Sequence, residues 1–424
     1  MEPSVPGVPA ISGSQTTTLP NHKRVVVTGA GIITPLGTGW LSNQDGFRNG
    51  KQAFGPVSLF DASRQRTRIA AEVVLPAVPP ASRLSIREFN RIDRAGKMLL
   101  WAAIEAWQQS GWVATEEEIP IVLGTTSGGM TLGQDFYRQA FGAGLSTRLQ
   151  STRITHYQPQ RQALDVMDAL GFSGPVSIIA NACASGANAI GHAFEIIRSG
   201  QYTRAVSGGY DAISQLVFAG FDSLQALSPT GARPFHLRRD GLTLGEGAAV
   251  LCLEELDSAL NRGAQIHGEI LGYGSATDVS HLTQPHPDGD AALATMQAAC
   301  KMGRVEPRDI GYLNAHGTGT LLNDSSEARA IARWAGDDAR NLPVSSTKAG
   351  IGHLLGAAGA IEAVVCLMAL AGQWLPPQGT TEEVDPNCNF PLVVCPQDKQ
   401  FNLALSNSFG FGGANASLLF GRRI

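Results

Sequence analysis

Residues 175–200, PVSIIANACASGANAIGHAFEIIRSG, decide how the chain is to be read. Residues 176–180 form a short apolar, β-branched run behind a Gly-Pro pair, which predicts a buried strand. From Ala187 onward Ile190, Phe194 and Ile197 recur at helical spacing and Gly200 supplies a stop, so a helix follows. Between them Asn181-Ala182-Cys183-Ala184-Ser185-Gly186 makes a tight turn of small residues. A cysteine there meets backbone N–H groups and the positive end of the helix dipole, and both favour the nucleophilic thiolate. Its small neighbours let a substrate carbonyl approach the sulfur. An inert thiol packed among small residues would read the same way, so the rest of the chain has to decide.

The strand-turn-helix theme recurs on both sides of this stretch. Residues 23–31 predict a strand entering a glycine turn at Gly29-Ala30-Gly31. GAGIITPLG falls short of the dinucleotide-binding pattern G-x-G-x-x-G, and Pro35 interrupts the helix that pattern needs. Residues 85–110 predict one long helix with Ile92, Leu99, Leu100, Ile104 and Trp107 along one side. Strands are expected at 120–125, 205–209 and 248–251, with an irregular helical insertion over 130–170. Residues 266–273 restart the theme with a strand and a glycine turn. Helices at 288–303 and 325–336 then flank a strand at 310–313. An apolar helix at 357–372 and strands at 392–395 and 417–420 complete the chain. The expectation is an α/β protein in two halves, 23–265 and 266–424, each a mixed or mostly parallel sheet flanked by helices.

Composition narrows the class. A hydrophobic fraction of 43% and 49 glycines among 424 residues suit an α/β protein with many tight turns. A net charge of −4 gives no reason to expect a nucleic-acid partner. The cysteines at 183, 252, 300, 366, 388 and 395 show no C-x-x-C spacing, which points to reduced thiols and a cytoplasmic setting. Residues 1–22 are rich in Pro, Ser, Thr and Gly without an apolar core, so a disordered extension is expected there. The longest apolar run, 360–371, is interrupted by Glu362 and is too short to span a membrane.

Three stretches are polar and glycine-rich where core would otherwise be expected. Asn314-Ala315-His316-Gly317-Thr318-Gly319-Thr320 follows a strand, with Asp324 and Glu327 as a capping pair for the next helix. Ser345-Ser346-Thr347-Lys348-Ala349-Gly350-Ile351-Gly352-His353 precedes the helix that carries Glu362. Ser406-Asn407-Ser408-Phe409-Gly410-Phe411-Gly412-Gly413-Ala414-Asn415 lies near the C-terminus. A lone histidine on a strand-end loop is usually structural. Two on separate loops, with Lys348 five residues before one of them, are harder to set aside.

NACASG, NAHGTGT, TKAGIGHLLGAAGAIE and NSFGFGGAN stand in the order and spacing of the β-ketoacyl-acyl-carrier-protein synthases. From Lys23 onward the chain resembles their elongating, type II-system branch. The resemblance implies a thiolase-like duplicated αβαβα five-layer fold. It also implies a homodimer or a heterodimer with a related ketosynthase-like subunit. The reaction it implies is a decarboxylative condensation of an acyl thioester, held on Cys183, with malonyl-acyl-carrier protein. His316 and His353 are then neutral donors to the enolate, and Lys348, paired with Glu362, holds the local electrostatics. By the same resemblance the backbone N–H groups of Cys183 and Phe411 meet the oxyanion, and Thr318 and Thr320 meet a pantetheine arm. Phe411 becomes a gate between acyl and malonyl routes, and Met130 and Leu132 line the acyl pocket near the dimer interface. Arg64, Arg66 and Arg68, with Arg153 as a weaker candidate, would dock an acidic carrier protein. No cofactor is implied beyond the carrier's phosphopantetheine, and Cys183, His316 and His353 lack the short spacing of a metal site.

The departures concern substrate and partner. Ala349-Gly350-Ile351-Gly352 stands where elongating enzymes usually have Ser-Met-Thr-Gly, residues 227–233 look shortened, and Gln225 occupies a position that is commonly basic. A specialised fatty-acid or polyketide pathway therefore stands beside housekeeping elongation. A non-catalytic subunit that sets chain length would replace the nucleophile, and Cys183 with both histidines speaks against it. An acyltransferase or a non-decarboxylating thiolase on the same fold is the other alternative; a thiolase would use a second cysteine near the C-terminal glycine loop, and 406–415 contains none.

Overall fold

The computed structural model describes residues 22–142, 155–379 and 383–422. The expected extension, apart from His22, and Arg153 lie outside the described residues. The first half supplies strands β1 (Val25–Thr34), β2 (Ile121–Gly124), β3 (Val176–Ile179), β4 (Arg204–Asp211) and β5 (Gly247–Glu255). The second supplies β6 (Gly268–Thr277), β7 (Tyr312–Asn314), β8 (Val344–Ser345), β9 (Leu403–Phe409) and β10 (Ala414–Gly421). They form one continuous sheet in the order β8-β7-β9-β10-β6-β1-β5-β4-β2-β3. Read outward in, each half has the same arrangement: third, second, fourth, fifth, first. The second, third and fourth strands of each half run parallel, and the fifth is antiparallel to its neighbours. The halves join where Val25–Val27 of β1 pairs antiparallel with Gly268–Ile270 of β6.

The principal helices are α1 (Arg94–Ser110), α2 (Met130–Gly142), α3 (Pro159–Leu170), α4 (Ser185–Arg198), α5 (Gln215–Ser223), α6 (Asp290–Gly303), α7 (Leu321–Ala335) and α8 (Ala358–Gly372). Strand alternation sorts them into layers. Ala248 and Val250 of β5 face the core shared with α1 and α3, while Ala249, Leu251 and Leu253 face α4 and α8. In the second half Leu405 and Leu419 face α6 and α7, while Ala404, Leu418 and Phe420 face α4 and α8. The result is five layers, with α4 and α8 at the centre. That is the duplicated arrangement the resemblance implies.

Several local expectations are corrected. Neither Gly29-Ala30-Gly31 nor Gly272-Tyr273-Gly274 is a turn, because β1 and β6 run straight through them. The glycines instead let a helix backbone lie against the strand. A Cβ on Gly29 or Gly31 would sit 2.0 or 1.9 Å from the carbonyl oxygens of Ala106 or Ala102 in α1. A Cβ on Gly272 or Gly274 would sit 2.1 Å from those of Ala299 or Thr295 in α6. The long helix expected over 85–110 is broken after Ile86–Phe89, because Asp93 caps α1 by accepting the Gly96 N–H at 2.9 Å. Residues 392–395 form no strand, only an isolated bridge from Leu392 to Val344. β9 runs through the polar stretch 403–409, where sequence reading saw a loop. The segment Leu355–Gly372 does reach membrane-spanning length and hydropathy once the turn before α8 is included, yet 89% of it is buried in the protein core.

Candidate active site

Cys183 sits in a short turn, Ala182–Ala184, that joins β3 to α4. Ala182 adopts φ +58°, a left-handed conformation that is strained for a residue with a Cβ. The turn is held by Ser185, whose Oγ accepts the Asn181 N–H at 3.0 Å and donates to the Ala182 carbonyl at 2.5 Å. A second turn of the same kind, Leu355–Ala357, leads into α8, and Leu355 has φ +52°. Gly186 and Gly359, each four residues after these strained positions, let the two helices meet. A Cβ on Gly186 would lie 2.9 Å from the Ala360 nitrogen, and one on Gly359 would lie 2.7 Å from that of Ala187. The crossing brings the two elbows together.

His316 and His353 approach Cys183 from the second half. Their rings lie 5.4 Å apart at 87°. The His316 and Gly317 N–H groups donate to the two oxygens of Glu327 at 2.9 and 2.8 Å, and Asn407 Nδ2 donates to the same carboxylate at 3.2 Å. Asp324 accepts the Gly319 N–H at 3.2 Å and that of Phe235 at 2.8 Å. Neither acid caps α7 as expected; both reach back from inside the helix to hold the loop before it. Burial pushes the Glu327 carboxyl up to about 7. His353 Nδ1 accepts the Leu355 N–H at 3.1 Å. The lone pair is therefore on Nδ1, and the proton of the neutral ring is on Nε2. Burial first, and then the Lys348 charge, hold both imidazoles well below their ordinary range, with the His353 ring a further cause for His316.

Lys348 Nζ is bonded to Glu362 Oε1, with both side chains almost completely buried, and Ser408 Oγ donates to the other Glu362 oxygen at 3.4 Å. Burial raises the Glu362 carboxyl and Lys348 opposes the rise. Burial likewise raises the Cys183 thiol to about 11. The Lys348 charge and the N–H groups of Phe411 and Cys183 act in the other direction, and the nearby Asp211 adds to the rise. The expected resting thiolate is thus corrected. The donors at the turn are present, but desolvation outweighs them.

A cavity of about 340 Å³ opens onto these groups, lined by Cys183, His316, His353, Thr318, Thr320 and Phe411. The two threonine hydroxyls are 2.9 Å apart. Phe411 is 36% exposed and stacks on Phe221 at 5.9 Å and 21°. Gly410 before it packs closely on the nucleophile turn, and a Cβ there would lie 3.2 Å from the Cys183 nitrogen. Met130 and Leu132 do not line this cavity; they open α2, beyond the loop that follows β2. Arg64, Arg66 and Arg68 lie on an exposed loop and do not line the cavity. Arg66 pairs with Asp222 of α5 at 3.7 Å, and Arg68 donates to the Ser63 carbonyl at 3.0 Å.

Sequence reading missed Phe221 and Asp211. Asp211 ends β4, fully buried, and its only sequence signal is an acid closing a strand whose one other charged residue, Arg204, stands at the opposite end.

The pattern described as Beta-ketoacyl synthase, N-terminal domain, matches residues 22–259, and the corresponding C-terminal domain matches residues 267–382. A 3-oxoacyl-[acyl-carrier-protein] synthase 2 from Synechocystis sp. is 40% identical over 409 residues, covering 94% of this chain and 98% of that one. The solved ishigamide ketosynthase/chain length factor superposes with a TM-score of 0.88 at 31% identity, covering 95% of this chain and 100% of that chain. A type II polyketide ketosynthase, solved with its acyl-carrier protein and bound to the hexaketide, gives 0.86 at 26% identity with the same coverage. On the strength of both domain matches and a full-length relative, this chain is a member of the β-ketoacyl synthase family.

Proposed function

We propose that Cys183 is the acyl carrier of a decarboxylative condensation and that His316 and His353 serve the decarboxylating half. One observation carries the reading: a thiol and two uncharged imidazoles share one cavity with the N–H groups of Cys183 and Phe411. In the first half-reaction the sulfur of Cys183 attacks the acyl thioester carbonyl. The N–H groups of Cys183 and Phe411 meet the oxyanion, and the pantetheine thiol leaves with the proton that Cys183 gives up. Losing one such donor typically costs about 10²–10³ in rate. In the second, malonyl-carrier protein loses carbon dioxide and the electron pair becomes an enolate. Its oxygen takes a hydrogen bond from His353 Nε2–H, and His316 offers the second donor. The enolate carbon then attacks the acyl-Cys183 carbonyl, and the released sulfur takes up a proton. Neutral donors suit this step, because they stabilise charge that appears only in the transition state. Burial, and after it the charge of Lys348, keep both rings unprotonated.

Thr318 and Thr320 are assigned to the pantetheine amides, and Phe411 to the gate. A specialised fatty-acid or polyketide pathway, a cytoplasmic setting, functional halves at 23–265 and 266–424, and pairing with either a second copy or a related subunit belong to the same reading. The chain length factor in the ishigamide structure favours a related subunit. Arg64, Arg66 and Arg68 remain the candidates for carrier docking. Their electrostatic share is small, since Gln225 at the mouth is uncharged and Asp222 partners Arg66. Four leucines that line the mouth, Leu224, Leu282, Leu321 and Leu322, are 54–72% exposed and offer an apolar contact instead.

Incubation with a panel of acyl-carrier proteins tests the proposal by intact mass. An acyl adduct on the Cys183 peptide, abolished by Cys183→Ala, is expected. An adduct at Cys252 or Cys366 would overturn it.

A further inference from the structure

Asp211 stands at the end of β4, fully buried, with no cation bonded to it among the described residues. Its carboxylate instead accepts five hydrogen bonds. Oδ1 receives Thr125 Oγ1 at 2.8 Å, the Ser127 N–H at 2.9 Å and Ser127 Oγ at 2.8 Å. Oδ2 receives the Thr126 N–H at 2.8 Å and the Gly356 N–H at 2.6 Å. Three of the five are backbone N–H groups that can only donate, so the arrangement is built for an anion. The carboxylate ties the loop after β2 to the turn after His353.

Gly356 is seated as tightly as such a contact allows. A Cβ on it would lie 2.6 Å from the Thr126 nitrogen and 2.8 Å from Asp211 Oδ2. The peptide immediately before it belongs to Leu355, held at φ +52°, and that residue's N–H is the group that hydrogen-bonds His353 Nδ1. A left-handed φ at a leucine persists only where the surroundings over-determine it. Asp211, through Gly356, supplies that constraint. It stands to the elbow at Leu355 as an anion would stand to the elbow at Ala182, where the Cys183 N–H meets its own sulfur.

We infer that Asp211 is a positioning residue for decarboxylation. By anchoring the Gly356 N–H, it keeps the Leu355 N–H on His353 Nδ1, and so keeps the ring proton on Nε2, facing the cavity. Without the anchor the turn relaxes toward ordinary dihedral angles and its N–H leaves Nδ1. The neutral ring is then free to carry its proton on Nδ1, and the donor to the enolate oxygen is lost. Acyl transfer to Cys183 does not use that donor and is spared. The inference rests on His353 acting as the donor in the proposed reaction.

Two variants test it. Asp211→Asn keeps the shape but turns an N–H₂ toward groups that can only donate, and Asp211→Glu keeps the charge but displaces the oxygens. Imidazole nitrogens labelled with ¹⁵N report the tautomer directly in the substrate-free protein. The His353 resonances should show Nε2–H in the parent and a shift toward Nδ1–H in whichever variant folds. Carbon dioxide release from malonyl-carrier protein should fall about tenfold or more. Self-acylation, read by intact mass, should change less than about threefold. Unchanged His353 resonances in a folded variant would overturn the inference, as would equal loss in both half-reactions. If the parent shows the expected tautomer but His353→Ala leaves decarboxylation intact, the assignment of His353 fails instead, and the two failures are told apart.

Discussion

The neutral resting thiol of Cys183 has a measurable consequence. With its ionisation near 11, the thiolate fraction at pH 7.5 is about three in ten thousand, against roughly one in ten for an ordinary thiol near 8.5. Alkylation by a small neutral reagent such as iodoacetamide needs the thiolate. At pH 7.5 Cys183 should therefore react about 300-fold more slowly than a free thiol from ionisation alone. The rate should climb about tenfold per pH unit from 7 to 10 without levelling. The exposed Cys395 would react first, so the measurement belongs in a Cys395→Ser background with the adduct mapped by mass. Lys348→Met provides the control on sign. Its ammonium is the first of the influences that favour the thiolate, so removing it should raise the ionisation further and slow alkylation at every pH in the range. A plateau near pH 7, in either protein, would mean that the donors at the elbow outweigh desolvation and that the reasoning is wrong.

Breaking the buried Lys348–Glu362 pair from either side should cost about 3–5 kcal/mol in denaturant unfolding, because one charge is left alone. Lys348→Met/Glu362→Gln should recover much of that loss, and a double variant as unstable as the two losses summed would deny the coupling. His316→Ala or His353→Ala should suppress carbon dioxide release while leaving some self-acylation; equal loss would show that the division of labour is wrong. The acid limb of decarboxylation should move to higher pH in Lys348→Met, since both imidazoles are depressed partly by that charge. An unmoved limb would place the titration elsewhere. Leu321→Glu should raise KM for carrier-bound malonate without affecting a free pantetheine thioester, and KM for the parent should vary little with salt. A steep salt dependence, lost on Arg68→Glu, would return the docking to charge.

How far the site could be read from sequence follows from what each residue does. Cys183, His316, Lys348, His353 and Phe411 lie in short polar, glycine-rich breaks within apolar context, and such breaks are visible along the chain. Asp211 is not visible in that way, because its partners are backbone N–H groups and hydroxyls distant in sequence, and Glu327 was visible only as a helix cap, a role it does not take. β9 was concealed for a related reason. Its residues Asn407 and Ser408 are polar because they serve the interior around Glu327 and Glu362, so the strand carries no apolar alternation. The glycines of β1 and β6 misled in the opposite sense. Their small size answers to a helix packed across them and not to a turn.

That pair of strands also explains why the duplication was hard to see in residues yet is plain in three dimensions. Identity between the halves is lost wherever packing is interchangeable, and retained where backbone geometry allows few solutions. β1 and β6 each keep two glycines, two apart, against a helix backbone. The central helices each keep a strained residue and, four places on, a glycine at the crossing. The residue after the strained one then differs. In the first half it is Cys183, and its N–H faces the cavity. In the second it is Gly356, and its N–H is closed off by Asp211. One elbow is left open for an anion that appears during the reaction, while the other holds the buried carboxyl group of Asp211. The two halves thus share an architecture and divide a task, with the closed elbow aligning the histidine that works beside the open one.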